Sequence, residues 1–412
     1  MTCPVLVLGA GMVGTCTALH LAMRGHAVAL VDRREPGRET SYGNAGIIQR
    51  EAVEPYAFPR SIARLLGVAL KRGSDVNYHL RALPRVAGGL ARYWRHSGAA
   101  HYPAIAQAHA RLIEHATSEH APLIAAAGAE DLVRREGYLH VFRDAAGLDT
   151  ALAEAEALAR SHGLRHAALD GDALAAAEPA LRRRLAGAVH WLDPWSVSDP
   201  GELVARYAAQ FRRLGGTLVR GDAASLRPTA TGWQVRTDDG LLDAEHAVIA
   251  LGPWADLLLR PLGYRLPLFV KRGYHRHHAG APGPRLPLYD VARGLVIAPM
   301  RRGVRITTGA EFARRDAPAT PWQLGRAEAH ARELLDLGDP VEPQPWLGAR
   351  PCTADMKPVI GPAPRHRGLW FNFGHAHQGF TLGPVSGRLL AELIGGEAPL
   401  VDPAPYAAQR FP

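Results

Sequence analysis

The residues with the clearest chemical meaning stand near the amino end. Gly9-Ala10-Gly11-Met12-Val13-Gly14 forms a G-x-G-x-x-G set directly after the apolar run Val5-Leu6-Val7-Leu8. Each glycine answers a separate need: Gly9 a tight turn, Gly11 close approach of a pyrophosphate to the backbone, Gly14 packing of a helix against a strand. The helix that follows offers unpaired N–H groups and its positive dipole end to phosphates. Asp32 ends the next apolar run, about 20 residues on, where a carboxylate can accept hydrogen bonds from ribose hydroxyls. This is a dinucleotide site, and FAD and NAD both satisfy it. His375 and His377, at i and i+2 in a glycine-rich loop, could suggest a metal. No third ligand of suitable spacing stands nearby, so no metal site is expected. No Ser/His/Asp set or carboxylate pair demands a nucleophile or a general base. Cys3, Cys16 and Cys352 are odd in number and form no CxxC, which points to a reducing compartment without a disulfide framework.

These residues need elements to position them. Val5–Leu8 and Ala27–Val31 read as strands covered on both faces, because they are continuously apolar. Thr15–Arg24 reads as the helix between them, ended by Gly25. Strand, glycine turn, helix and strand open a doubly wound sheet. Ala247–Leu251 is another continuously apolar strand, ending at Gly252-Pro253-Trp254. Leu369–Phe373 is a third, followed by the glycine-rich loop and a helix over about 383–394. In between, residues 60–130 read as helical and Tyr138–Phe142 alternates as a strand. A helix covers 149–162, and Gly187–Leu192 is a strand. Asp199 caps a helix over Gly201–Leu214, and Thr217–Trp233 reads as strands around a turn. Residues 264–312 hold short strands separated by Gly and Pro, an antiparallel sheet, with a helix near 322–337. No internal repeat is seen. The expected fold class is α/β, with two domains interleaved in sequence. A Rossmann-like dinucleotide domain takes 1–60, 190–260 and 345–412. An α+β substrate domain containing the antiparallel sheet takes 61–189 and 261–344.

Composition agrees with this and excludes other classes. A chain of 412 residues suits about two domains. Hydrophobic residues at 47% and charged residues at 21% exclude a disordered or fibrous chain. The net charge is +9, but Lys71, Lys271 and Lys357 are the only lysines, and the rest of the basic excess is arginine. No run of five or six like charges occurs, and no basic helix interleaves with aromatics, so nucleic acid is not an expected partner. The diffuse excess suits solvated surface, an anionic membrane leaflet or the steering of acidic substrates. Met1 runs almost directly into a strand without a basic n-region, and no window approaches 18 apolar residues. Neither a secretory signal nor a membrane span is expected. The expected location is the cytoplasm, and a pI near 9.8 is compatible with peripheral docking on the inner face of its membrane.

Four motifs, taken in order, decide between the dinucleotides. They are Ser41-Tyr42-Gly43-Asn44-Ala45-Gly46 and Ala250-Leu251-Gly252-Pro253-Trp254, then the pair Gly348-Ala349-Arg350-Pro351-Cys352-Thr353-Ala354-Asp355 and Lys357-Pro358-Val359-Ile360-Gly361, and lastly Gly374-His375-Ala376-His377-Gln378-Gly379-Phe380-Thr381-Leu382-Gly383-Pro384. Together they resemble, from end to end, the FAD-dependent amino-acid oxidoreductases of the D-amino acid oxidase superfamily. The resemblance is closest to its bacterial D-amino acid dehydrogenase and glycine-oxidase-like members. A nicotinamide dehydrogenase shares the amino-terminal fingerprint but has no use for the carboxyl-terminal loop.

The resemblance implies non-covalent FAD in a Rossmann-like domain of the GR2 type. Gly9, Gly11, Met12, Val13, Gly14 and Asp32 would hold the adenosine diphosphate, with Arg33 near the adenosine ribose. Ser41, Asn44, Ala45, Gly46 and Ile47 would pass the pyrophosphate and flavin ring. Ala224 would hold adenine through its main chain, and Ala250, Gly252 and Trp254 form the second strand end against the cofactor. Gly374, His375 and Gln378 belong to a loop that closes over the flavin. The N–H groups of Gly379, Phe380 and Thr381, with their helix dipole, would stabilise negative charge on the reduced ring. Arg350 would grip the substrate carboxylate bidentately, its planar fork staying charged when desolvated. Tyr274 would line the substrate pocket, and His377 stands where some relatives carry an arginine that helps hold substrate. Cys352 lies where some relatives attach flavin covalently, but its surroundings match the non-covalent branch.

The implied reaction oxidises an amino acid, a D-amino acid or a cyclic imino acid such as proline or hydroxyproline, to its imine. Hydride would pass from Cα to flavin N5, and the electrons would go on to a quinone or an electron-transfer partner. The alternative is an oxygen-using oxidase of the glycine or sarcosine oxidase kind, which releases hydrogen peroxide.

Overall fold

The structure, a computed structural model, describes residues 2–70 and 75–411. At its centre Thr2–Leu8 lies between two parallel neighbours, Val28–Asp32 and Gly240–Ile249. Thr217–Pro228 extends the sheet in parallel beyond Val28–Asp32. On the other side Leu369–Phe373 pairs in parallel with Gly240–Ile249, and Val359–Pro362 closes that edge antiparallel. The continuous apolar runs have their physical reason here: Val5, Val7, Val28 and Leu30 face one core, while Leu6, Leu8, Ala29 and Val31 face another. Both faces are covered, so neither can be polar.

One of those cores lies beneath three helices. Met12–Met23 packs against Pro200–Arg213 and most extensively against Gly379–Gly395. The last contact is close because Gly383 and Gly387 lie one turn apart on the approaching face. A Cβ on Gly383 would sit 2.5 Å from Met12 Cγ, and one on Gly387 2.8 Å from the Cys16 backbone. That close packing brings the amino ends of Met12–Met23 and Gly379–Gly395 to one place. Asp199 caps its helix as expected, its Oδ1 accepting from Glu202 N at 3.0 Å.

A second sheet of eleven strands, mostly antiparallel, is built around Leu268–Ala279. That strand pairs along eight residues with Trp346–Thr353 and then with Gly303–Thr307. The helix Trp322–Leu334 covers one face through Leu324, Ala327, Ala331 and Leu334. Two sequence expectations shift here. Trp346–Thr353 joins this sheet although it lies in the stretch 345–412 assigned to the dinucleotide domain, and so does Gly187–Trp191 across the boundary at 190. The stretch 60–130, expected to be helical, also contains the strand Val76–Tyr78, which is drawn into the sheet by Ala310–Phe312; residues 71–74 of it lie outside the described residues. No helix among the described residues is long and apolar enough to cross a membrane.

Buried histidines make this packing sensitive to acid. Burial holds His109, His120 and His140 down to about 4 and His20 and His375 to about 3. His120 shows the neutral tautomer: Nε2 donates to Phe380 O at 3.0 Å, so Nδ1 accepts from the Tyr207 hydroxyl at 3.0 Å. The unfolded chain takes up protons below about pH 6.5, where the folded chain cannot. Stability is therefore complete above that pH and falls towards pH 4, by about 1.4 kcal/mol per pH unit for each such histidine. The urea midpoint is expected to drop steeply between pH 6 and 4.5. A flat midpoint there contradicts the neutral assignment.

Candidate active site

A cavity of about 910 Å³ lies between the two sheets and reaches from Asp222 and Ala224 at one end to Arg350 and Phe312 at the other. Its floor is the glycine turn. Gly9 has φ +106°, and a Cβ there would lie 2.6 Å from Ala250 O. A Cβ on Gly14 would lie 1.8 Å from Gly9 O, whereas one on Gly11 would meet only Ser41 Oγ, at 3.4 Å. Gly9 and Gly14 are thus demanded by packing, while Gly11 keeps the turn open towards the cavity. Asp32 braces the same turn: Oδ2 accepts from Ala10 N at 2.6 Å and Oδ1 from Arg34 N at 3.0 Å. Its carboxylate faces the cavity with lone pairs to spare. Arg33 beside it lies over the Trp254 ring at 4.7 Å and pairs with Glu39 at 2.7 Å.

The loop after Asp32 is held by the first helix and by the large sheet. Ser41 Oγ accepts from Met12 N at 2.9 Å, and Asn44 Oδ1 accepts from Gly46 N at 2.8 Å and Ile47 N at 3.3 Å. From the large sheet, the buried Arg305 donates to Tyr42 O at 2.9 Å and Asn44 O at 2.5 Å. Nothing in the local sequence marks Arg305 for this role, since its contacts are more than 260 residues away. Ala45, Ile47, Ala250, Gly252 and Trp254 line the cavity with Met12 and Val13. Gly14 and Gly46 do not; both are backbone contacts behind the wall, a Gly46 Cβ meeting Val197 O at 2.2 Å.

The opposite wall is the loop before Gly379–Gly395. Gly374, His375, His377, Gly379 and Phe380 line the cavity. His375 Nε2 lies 3.0 Å from Ser386 Oγ, inside the helix layer. Gln378 and Thr381 act a layer back instead: Gln378 Nε2 donates to Gln49 Oε1 at 3.0 Å, and Thr381 Oγ1 accepts from Gln49 N at 3.2 Å. The first-turn N–H groups of Gly379, Phe380 and Thr381 have no intrahelical acceptor, and no side chain caps them. Val13 and Gly379 are neighbours, a Gly379 Cβ lying 3.9 Å from Val13 Cγ2. Two helix amino ends and the glycine turn therefore converge on one cavity. With Asp32 they make the donor and acceptor set that a pyrophosphate and a ribose require. The residues present fit FAD.

At the far end Arg350 is inserted without a carboxylate partner among the described residues. Its guanidinium donates to Gly309 O at 3.0 Å, Thr308 O at 3.3 Å and Arg272 O at 3.3 Å. Burial lowers its pKa from the usual value. His377 stands beside it, edge-on to Tyr56 with ring centroids 5.4 Å apart. Burial, then Arg350 and Lys271, push the His377 pKa far down, so its imidazole is neutral.

Tyr274 lines the cavity as expected, but its hydroxyl points away from it. Side chains alternate along a strand, which sends Tyr274 into the layer of Trp322–Leu334 while Lys271 and Gly273 face the cavity. The Tyr274 hydroxyl accepts from Thr320 N at 2.7 Å and donates to Glu311 Oε2 at 3.1 Å, so it is committed to a buried network. Tyr56 and Tyr289 line the cavity as well as Tyr274. Lys271 was also missed, although one signal existed: it is one of only three lysines in an arginine-rich chain.

The sequence matches the family described as FAD dependent oxidoreductase (DAO) over residues 4–393. It is 32% identical to a D-amino acid dehydrogenase of Paramagnetospirillum magneticum, across 99% of this chain and 98% of that protein. It is 30% identical to a D-amino-acid oxidase of Bradyrhizobium diazoefficiens, with the same coverage of both chains. Among solved structures, glycine oxidase from Geobacillus kaustophilus shares the fold at a TM-score of 0.72 and 24% identity, covering 100% of this chain and 99% of the other.

Proposed function

The chain belongs to the DAO family of FAD-dependent oxidoreductases, and from that premise we propose that it oxidises a D-amino acid, or a cyclic imino acid such as proline, at the Cα–N bond. The product is an imine that water converts to a keto acid. The names of the relatives at 30–32% identity support the D configuration. The observation that carries the reading is Arg350, a cavity-facing guanidinium that, among the described residues, backbone carbonyls alone hold. A bidentate carboxylate is the partner its geometry lacks.

Bound FAD supplies the hydride acceptor, and the protein's work is orientation and electrostatics. Arg350 fixes the carboxylate and so directs the Cα–H bond, a placement that can contribute several kcal/mol. Neutral His377 adds no competing charge beside it. The uncapped N–H groups of Gly379, Phe380 and Thr381 would stabilise negative charge on the reduced ring. Tyr56 and Tyr289 line the cavity together with Arg350. FAD is held non-covalently in this reading: burial pushes the Cys352 thiol up, which keeps it in the unreactive form, and its Sγ lies 3.7 Å from Arg350 O. Electrons pass on to a quinone or another electron-transfer partner, and a pI near 9.8 supports docking at the inner face of the cytoplasmic membrane.

Purified yellow protein should bleach anaerobically with D-amino acids or imino acids and not with the corresponding amines that lack a carboxylate. In air, dye or quinone should be reduced faster than peroxide forms. Equal bleaching by the decarboxylated amines would sink the reading, and dominant peroxide formation would favour the oxidase alternative.

A further inference from the structure

The register of the large sheet sets Lys271 directly opposite Arg350. Directly opposed residues of an antiparallel pair project from the same face, with Cβ atoms about 4.5–5.5 Å apart, and like charges so placed are destabilising. The two heads diverge. Arg350 turns over Gly273 to the carbonyls of Thr308 and Gly309, where a Gly273 Cβ would lie 2.6 Å from Nη2. Lys271 turns the other way, its Nζ 4.5 Å from the Tyr93 ring centroid and 5.8 Å from those of Phe269 and Phe312. Its hydrogen bond goes to the Tyr93 hydroxyl at 3.3 Å.

Neither cation forms an ion pair among the described residues. Other shielded cations are mostly matched: buried Arg272 Nε lies 2.7 Å from Glu311, and half-buried Arg143 and Lys357 lie 2.7 Å from Asp290 and 3.7 Å from Asp355, while buried Arg305 is spent on the Tyr42 and Asn44 carbonyls. Lys271 and Arg350 also lack an ion pair, but unlike Arg305 they are cross-strand partners and both line the cavity. Cys352 and neutral His377, which adjoin them, bring no negative charge. The aromatic ring faces around Lys271 favour the ammonium form, and burial opposes it. An anion arriving with the ligand removes that conflict.

We propose that Lys271 is a specificity-determining residue and that the preferred substrate carries a second carboxylate, held by Lys271 while Arg350 holds the first. The class is a dicarboxylic amino acid of aspartate or glutamate size, whose short carbon chain spans two diverging cations. This rests on the reading of Arg350 as the α-carboxylate receptor.

The test compares near-isosteric pairs on the holoenzyme, each as both enantiomers: glutamate against glutamine and aspartate against asparagine. The acid of each pair is expected to show at least about 10-fold higher kcat/KM for flavin reduction, a modest yield for one buried charge pair. In Lys271→Met that ratio is expected to collapse towards unity. A readout independent of turnover is the melting temperature of the wild-type holoenzyme with glutarate and with butyrate, glutarate giving the larger rise. Neutral amino acids that reduce flavin as well as acidic ones, or a Lys271→Met variant that slows both members of each pair equally, overturn the assignment and leave the proposed function standing. Reduction by no amino acid of either kind overturns both. The wild-type comparisons decide the matter even if the variant fails to fold.

Discussion

Arg350→Met is expected to bind FAD at wild-type stoichiometry and to lose about 10²- to 10⁴-fold in kcat/KM. The magnitude follows from breaking one side of a desolvated charge pair, about 3–5 kcal/mol, converted at about 1.4 kcal/mol per tenfold. Methionine fills similar space without charge, so the wall keeps its shape while the carboxylate is left unpaired. Arg350→Lys separates charge from geometry. Lysine restores a cation but not the planar fork, and the strand already holds Lys271 opposite. That variant should stay yellow with a raised KM or no turnover. The flavin spectrum checks cofactor content and stopped-flow bleaching reads the chemistry. Kinetics within threefold of wild type in Arg350→Met would falsify the carboxylate assignment.

The second large effect divides the glycine turn into its two functions. Gly14→Ala places a methyl group 1.8 Å from Gly9 O and 3.2 Å from Ala250 Cβ, contacts that only backbone movement can relieve. Overpacking of this kind costs about 1–3 kcal/mol or more, here at the junction of strand, turn and helix that forms the cavity floor. The protein is expected to melt several degrees lower and to emerge pale or colourless. Gly11→Ala meets only Ser41 Oγ at 3.4 Å, so the apoprotein should melt as wild type. Its methyl group projects into the space a pyrophosphate needs, and FAD affinity should fall. Thermal unfolding of the apo forms and FAD titration check the pair. If Gly11→Ala were the less stable apoprotein, the turn would not be built as described.

Much of this was legible in one dimension because the signals are local. A continuous apolar run, three glycines at fixed spacing and a strand-ending carboxylate specify strand, turn and helix through contacts within about 25 residues. The helix over Pro200–Arg213 was readable for the same reason, its cap Asp199 lying directly before it. The late glycine-rich loop was readable as a motif. Its contact with the amino-terminal helix, through Gly383 and Gly387, was not, since helix periodicity does not say which helix a small-residue face will meet.

What the chain settles in sequence is therefore the dinucleotide turn and the strands beneath it, while the resemblance singles out Arg350 as the candidate carboxylate receptor. Tertiary structure alone decided the end of the cavity around Arg350. Side-chain alternation, fixed by the register of Leu268–Ala279 against Trp346–Thr353, committed the Tyr274 hydroxyl to a buried network and set Lys271 beside Arg350. Pairing register between segments some 80 residues apart is chosen by the burial of whole faces, and a shift of one residue exchanges every side chain between cavity and core. No local spacing carries that choice.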